Sequence, residues 1–289
     1  VLVGSQDSGQ GHATSFRQIL SDRVGVDPKN ISIISGDTRR IKQGTGTFGS
    51  RTIASAGTSI LNAVNEMIIR LAPTAAEKLG VDECQLQFSQ GLWTCAGSNL
   101  SNHKIGFYEV QKMLQEDLKV ESFCRTNGAT FPNACHICEV EIDPETGETE
   151  IDRYVIVEDA GRVINPMIMK GQVMGGVLQG IGQALMEQIL HDGESGQLLT
   201  ASFMDYAIPR AKDAPETEIK SYSVPTQNNP LGAKGIGEAG TVGALSATMN
   251  AVCDGLFYAK AMPIDMPATA RNIWQALQHN GCNDMELTF

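Results

Sequence analysis

The sequence predicts an α+β fold: a two-lobed chain with mixed sheets packed against helices. Three observations predict it. Some segments repeat apolar residues at helical spacing, while others show the shorter period of strands. The two kinds of segment follow one another without strict strand–helix–strand alternation. A turn sequence, Asp143-Pro-Glu-Thr-Gly147, joins two strand-like runs as a hairpin would. A chain of 289 residues can bury a large core and form one or two domains. Residues 1–125 are expected to form the first lobe and 126–289 the second, meeting near residues 120–135.

Each element has its own signal. Val1 to Val3 read as a strand and Gly4 to Gly11 as a polar, glycine-rich loop. Ala13 to Val24 carry Phe16, Ile19, Leu20 and Val24 at helical spacing. Ile31 to Ile34 predict a short buried strand, and Gly36 to Ser50 a loop. A long helix is expected from Thr52 to Leu71, with a second helical stretch through Leu79. A strand pair spans Leu86 to Thr94, and Phe107 to Leu118 reads as helix. From Val120 the pattern turns to strands. Ile137, Val140 and Ile142 lead into the turn, and the chain returns over Ile151 to Val157. Met167 to Leu190 predict a long helix, and Thr269 to Leu277 the last one.

Composition excludes several classes of function. A net charge of −11 argues against nucleic acid and anionic membranes as partners. No run of 18 or more apolar residues offers a membrane span, and no secretory signal opens the chain. Seven cysteines, an odd number in a chain this long, point to reduced thiols and a cytoplasmic setting. Val1-Leu-Val-Gly4 reads as a strand already in progress, as expected of a piece of a longer polypeptide or one chain of a split enzyme.

The densest chemical signal is Lys234-Gly-Ile-Gly-Glu-Ala-Gly240, which sets the carboxylate of Glu238 among three glycines. Glycines bring backbone close to a bound group, and Glu238 is then placed to do acid–base work on it. Gly235, Gly237 and Gly240 spell G-x-G-x-x-G, yet no strand precedes them and a glutamate would repel a pyrophosphate. A purely structural glycine turn is the alternative. Gly9-Gln10-Gly11-His12 lies between a strand and a helix, where free N–H groups suit an anion. His12 reads there as a satisfied structural histidine, or else as a base or a ligand. Gly44-Thr-Gly-Thr-Phe-Gly49-Ser50-Arg51 is a second glycine and hydroxyl loop opening a helix, with Arg51 available to balance an anion.

Gly175, Gly176, Gly180 and Gly182 lie inside a predicted helix, each costing about 1 kcal/mol relative to Ala. Gln172, Gly176, Gln179 and Gln183 share one face of it. That face suits close approach of another helix, or a flat hydrogen-bonding cofactor such as a pterin. Cys135-His-Ile-Cys138 has metal-site spacing but lacks a second cysteine pair. As strand residues, Cys135 and Cys138 point to opposite faces, and both are expected to be core thiols.

Taken together, these segments resemble the molybdenum hydroxylases: xanthine dehydrogenase, aldehyde oxidoreductase and aerobic carbon monoxide dehydrogenase. The matching stretches are GQGH at 9–12, GTGTFGSR at 44–51, GRVINPMIMKGQVMGGVLQGIGQAL at 161–185, MDYAIPR at 204–210 and NPLGAKGIGEAG at 229–240. They run in the family's order, and the chain is similar to the C-terminal half of the molybdopterin-binding large subunit. The resemblance implies a molybdenum–molybdopterin cofactor, in bacteria usually the cytosine dinucleotide, with no direct protein ligand to the metal. It implies cofactor contacts at Gly9, Gln10, Gly11, His12, Gly49, Ser50, Arg51, Gln179, Lys234, Gly235 and Gly237. Glu238 matches the family's active-site glutamate, the base that takes the proton from a metal-bound hydroxide. The implied activity hydroxylates an electrophilic carbon of an N-heterocycle, purine or aldehyde with oxygen from water. Electrons then leave through [2Fe-2S] clusters and FAD on partner subunits, and a second polypeptide supplies the N-terminal half. A non-catalytic scaffold or assembly module is the other reading of such a fragment.

Overall fold

The computed structural model describes residues 1–95, 103–114, 117–125 and 128–278, and in it the chain divides into two units. The first comprises Val1–Phe131, Gly161–Ile168 and Val224–Gly235. The second takes Pro132–Ala160, Met169–Ser223 and the chain from Ile236 onward. A single cut at residue 125 does not describe this division, because segments 161–168 and 224–235 return to the first unit.

In the first unit, β1 (Leu2–Val3) pairs in parallel with β2 (Ile34–Ser35). The second strand is shorter than the sequence suggests and only half-buried, since Ile31 and Ile33 turn their side chains to the helices instead. Helix α1 (His12–Val24) buries Phe16, Ile19, Leu20 and Val24 and ends on Gly25, whose φ of 67° closes the last turn. Helix α2 (Thr58–Leu79) follows π-helical turns at Ile53–Gly57. It runs straight through Pro73, where two helical stretches were expected. Pro73 is exposed and so is Ile69, four residues earlier, so the carbonyl that loses its N–H partner is on the solvent side.

The expected strand pair is β3 (Leu86–Ser89) and β4 (Leu92–Cys95), antiparallel through the two-residue turn Gln90-Gly91. Both turn residues have positive φ, 48° and 77°, as a hairpin turn of this length requires. A third strand, β5 (Lys104–Gly106), extends the sheet, and α3 (Phe107–Met113) follows it. The helix expected to reach Leu118 thus stops by Leu114; positions 115–116 lie outside the described residues. Phe16, Leu71, Trp93 and Val110 centre the core of this unit.

The second unit is built on a three-stranded sheet, β6 (Asn133–Ile142), β7 (Thr149–Asp159) and β8 (Thr217–Ser221). The first two strands form the predicted hairpin around residues 143–147, and β8 adds in parallel to β7. Tyr154 and Ile156 face inward against α4 (Pro166–Leu185), on Val173, Val177 and Ile181. The helix stops five residues short of the expected Leu190. Helix α5 (Ala239–Tyr258) was not legible from its sequence. It is rich in Gly, Ala and Thr and presents buried residues every fourth position: Gly240, Ala244, Thr248, Val252 and Leu256. Helix α6 (Ala270–Gln278) packs Ile273 into a satellite core with Val252 and Leu256. Among the described residues no helix is long and apolar enough to cross a membrane.

Candidate functional site

Segments 9–12 and 44–51 lie in the first unit, together with the 161–168 and 229–235 portions of two more. The loop after β1 lies on the loop that opens the π-helical turn. Gly46 N donates to Gly4 O (3.2 Å), and Thr47 Oγ1 donates to Gln6 O (2.6 Å). Gly4 and Gly44 are in such close backbone contact that neither position has room for a Cβ. Gly11 sits against the Ile168 side chain, where a Cβ would be 2.8 Å from Cδ1. Asn165 holds that segment by donating from Nδ2 to Gln18 Oε1 (2.9 Å) and accepting from Ile168 N (3.0 Å). Gly161 pairs with Ala233 as an isolated bridge. Gly235 rests directly on the Ser50 carbonyl, so a Cβ there is excluded by backbone.

The N–H groups expected to be free before α1 are partly engaged. Asp7, which the sequence reading did not single out, accepts from Gly9 N and His12 N, both at 3.0 Å. Burial works against its charge, yet the Gly9 amide, the His12 field and the amides of Ala13 and Gln10 hold its carboxyl below the ordinary range. Gln10 Oε1 accepts from Ser8 N (2.6 Å). His12 is not a satisfied histidine: it is buried, stacks on Phe16 at 5.8 Å, and leaves Nδ1 without a hydrogen-bond partner. Ser5 Oγ is buried and orphaned on the same loop. Buried polar atoms of this kind normally find a partner, and a bound group is one way to supply it. Gly9 (φ 105°) and Gly49 (φ 59°) have open space where a Cβ would stand, so polar backbone is open there to close approach. Ser50 itself has φ 53°, and the Arg51 guanidinium stacks on Phe48 at 4.0 Å. Lys234 is half-buried beside Gly161, whose Cβ would lie 3.0 Å from Lys234 Cγ.

The second unit carries Glu238 and Gln179. Glu238 is exposed and stands at the N-cap of α5, three residues after Gly235 in the chain and one after the exposed Gly237. Gln179 is exposed on α4, where its Oε1 accepts from Thr241 Oγ1 (3.2 Å) in the first turn of α5. The glycine stripe of α4 is divided in its use. Gly176 and Gly180 let α5 approach, with Thr241 N, Gly240 Cα and Ala244 Cβ within 2.7–3.2 Å of where their Cβ atoms would be. Gly175 faces open space.

Cys135 and Cys138 do lie on opposite faces of β6. Only Cys138 is a core thiol, half-buried, whereas Cys135 is exposed on the outer face. Burial pushes the Cys138 thiol up to about 11. Among the described residues no group of three or more His, Cys, Asp or Glu is placed to hold a metal ion.

Comparison with known proteins adds an independent finding. A family model described as the molybdopterin cofactor-binding domain matches residues 1–215. The chain is 31% identical over 285 residues to the carbon monoxide dehydrogenase large chain of Hydrogenophaga pseudoflava. It is 33% identical over 285 residues to the nicotine 6-hydroxylase large subunit of Paenarthrobacter nicotinovorans. In each case 96% of this chain and 35% of the relative are covered. Quinoline 2-oxidoreductase from Pseudomonas putida 86 superposes with a TM-score of 0.86 at 31% identity, covering 96% of this chain and 36% of that one. The chain thus spans about a third of the length of these relatives.

Proposed function

The chain belongs to the molybdopterin cofactor-binding domain family of the molybdenum hydroxylases, and from that premise we propose that it forms the C-terminal part of a catalytic large subunit. The whole enzyme hydroxylates an electrophilic carbon of a small molecule, an N-heterocycle, purine or aldehyde, with oxygen from water. The observation that carries the reading is the convergence of glycine-rich segments at 9–12, 44–51 and 235, with Glu238 three residues further on. The residues present fit the group. Gly9 and Gly49 leave backbone open to close approach, and His12 Nδ1 and Ser5 Oγ are buried without partners.

When bound, the molybdenum cofactor supplies the two-electron oxidation. Gly9, Gln10, Gly11 and His12 would hold its phosphate or nucleotide part, with the Gln10 side-chain amide as donor, since Asp7 already takes the Gly9 and His12 amides. Gly49, Ser50, Arg51, Lys234, Gly235 and Gly237 would contact its pterin, and Gln179 would offer its side-chain amide as a donor. Glu238 takes a proton on a carboxylate oxygen from the water-derived nucleophile, which sharpens attack on the substrate carbon. Its place at the start of α5, behind a glycine loop, fixes the backbone from which its carboxylate projects. Partner subunits with [2Fe-2S] clusters and FAD take the electrons, and a polypeptide segment equivalent to the relatives' remaining length completes the enclosure.

Glu238→Gln tests the assignment in the complete enzyme with an artificial electron acceptor. Gln keeps the volume and loses the basicity, so turnover should fall by about 10²–10⁴-fold while molybdenum content stays near that of the wild type. A variant retaining more than about a tenth of the rate removes Glu238 from the role of base. Absence of molybdenum from the wild-type assembly would instead mark the chain as a scaffold.

A further inference from the structure

Helix α5 carries Glu238 at its N-cap, so whatever seats α5 on its sheet also sets the backbone of that carboxylate. On the other side Gly240 rests on Val173 and Val177 of α4, and on the sheet side the seat nearest Glu238 is an imidazole. A Cβ at Gly243 would lie 2.5–2.6 Å from His136 Nε2, Cδ2 and Cε1, closer than real Cβ atoms come. Three neighbouring ring atoms at almost equal distance mean that the helix backbone rests on the face of the ring.

The ring is itself held. His136 faces inward from β6, opposite Ile156 on β7. Its Nδ1 is 2.9 Å from the Tyr154 hydroxyl, and the two rings meet edge-on at 5.8 Å and 89°. Tyr154 is fully buried against α4, so it fixes the direction in which the imidazole points. The opposite nitrogen, Nε2, is buried without a hydrogen-bond partner. An orphaned buried nitrogen costs free energy, and an aliphatic side chain would fill the space without that cost. What the histidine adds is a flat, oriented face. Further along, Thr248 lies beside Cys138 and Gly255 against Ile142, so α5 tracks β6 in the same direction from this point onward. Gly243 is five residues past Glu238, about 7.5 Å along the axis at ~1.5 Å per residue.

We propose that His136 is a positioning residue for Glu238: its ring, oriented by Tyr154, is the stop against which Gly243 seats α5. The proposal rests on the reading of Glu238 as the base. Because a misplacement of about 1 Å can cost ~10²-fold in rate, a small shift of α5 should be visible in kcat.

The test uses the complete, cofactor-loaded enzyme and four variants: Gly243→Ala, His136→Ala, the double variant, and Tyr154→Phe. Measured are kcat, KM, molybdenum per enzyme, and hydrogen exchange of the Val242 amide, which donates to Glu238 O at 3.1 Å. Gly243→Ala should lower kcat by about tenfold or more, leave KM and molybdenum unchanged, and speed exchange at Val242. In the double variant the added methyl occupies space the imidazole has left, and both readouts should recover. Tyr154→Phe frees the ring and should lower kcat severalfold with the same unchanged KM. It also decides the matter should Gly243→Ala fail to accumulate. A residue that only stabilises the fold would lower the melting temperature without moving kcat in the folded enzyme. Unchanged kcat and exchange in Gly243→Ala, or no recovery in the double variant, overturns the proposal. Glu238→Gln, run alongside, separates the two readings. If it turns over normally, the base assignment falls and the catalytic half of the proposal with it. The exchange measurement then decides by itself whether His136 seats α5.

Discussion

Glu158 ends the inward-facing row of β7 that begins with Tyr154 and Ile156, and its carboxyl is wholly inaccessible with neither oxygen hydrogen-bonded. Burial, reinforced by the charge of Asp159, pushes it from 4.5 up to about 7. Between those two pH values the folded chain binds more protons than the unfolded one, so this group lowers stability as pH rises through the window. Glu158→Gln removes the titration. The melting temperature of the variant relative to wild type should therefore climb between pH 5 and pH 8, by the equivalent of about 1–2 kcal/mol after allowance for residual hydration. A difference that stays constant with pH would show that Glu158 ionises normally in the fold. The cysteines of β6 give a second expectation. Cys138 holds its proton at neutral pH and Cys135 lies on the other face, so replacing both with serine should leave zinc and iron content unaltered. Loss of a stoichiometric metal in the double variant would contradict that.

At the scale of elements, the pairing of α4 with α5 explains a sequence that is costly as an isolated helix. Gly176, Gly180 and Gly240 remove side chains where the two backbones meet, and Val173 and Val177 surround the contact. The contact offsets the low helix propensity of these glycines, which local sequence alone does not. Two substitutions separate the roles within one helix. Gly180→Ala forces a methyl to 2.7 Å from Ala244 Cβ and 2.8 Å from Thr241 O, and should destabilise by about 1–3 kcal/mol. Gly175→Ala meets nothing within 4 Å and should stabilise by about 0.5–1 kcal/mol in the isolated chain. Thermal or urea denaturation reads both, and equal effects would mean the stripe is not divided as described.

For the molecule as a whole, the ratio of this chain to its relatives matters most. It spans 35–36% of their length and exposes large apolar side chains, among them Phe203, Met204, Met167 and Tyr258. Scattered exposure of this kind is ordinary, but Phe203 and Met204 are adjacent and more than 80% accessible, as expected of a contact surface for further polypeptide. Expressed alone, the chain should bind the cofactor poorly, because a large polar group held on one side stays hydrated and exchanges. Molybdenum and released nucleotide measured with and without the completing polypeptide test this. Full occupancy in the isolated chain would show a self-contained site.

The sequence by itself determined the family, through five ordered segments, and those elements whose pattern is strong locally. Helix α1 is legible in Phe16, Ile19, Leu20 and Val24, and the hairpin of β6 and β7 in its turn residues. It did not reveal α5, because glycine and alanine carry little periodic signal and their value lies in contact with α4. It read two helical stretches, to Leu71 and through Leu79, and a satisfied histidine at 12, where the exposure of Pro73 and Ile69 and the burial of Nδ1 decide otherwise. Tertiary structure decided which motifs share a unit, that Gly235 lies on Ser50, and that Glu238 begins a helix seated on His136. The physical reason is range. Propensity and periodicity act within a few residues, whereas close backbone contact joins positions as distant as 50 and 235.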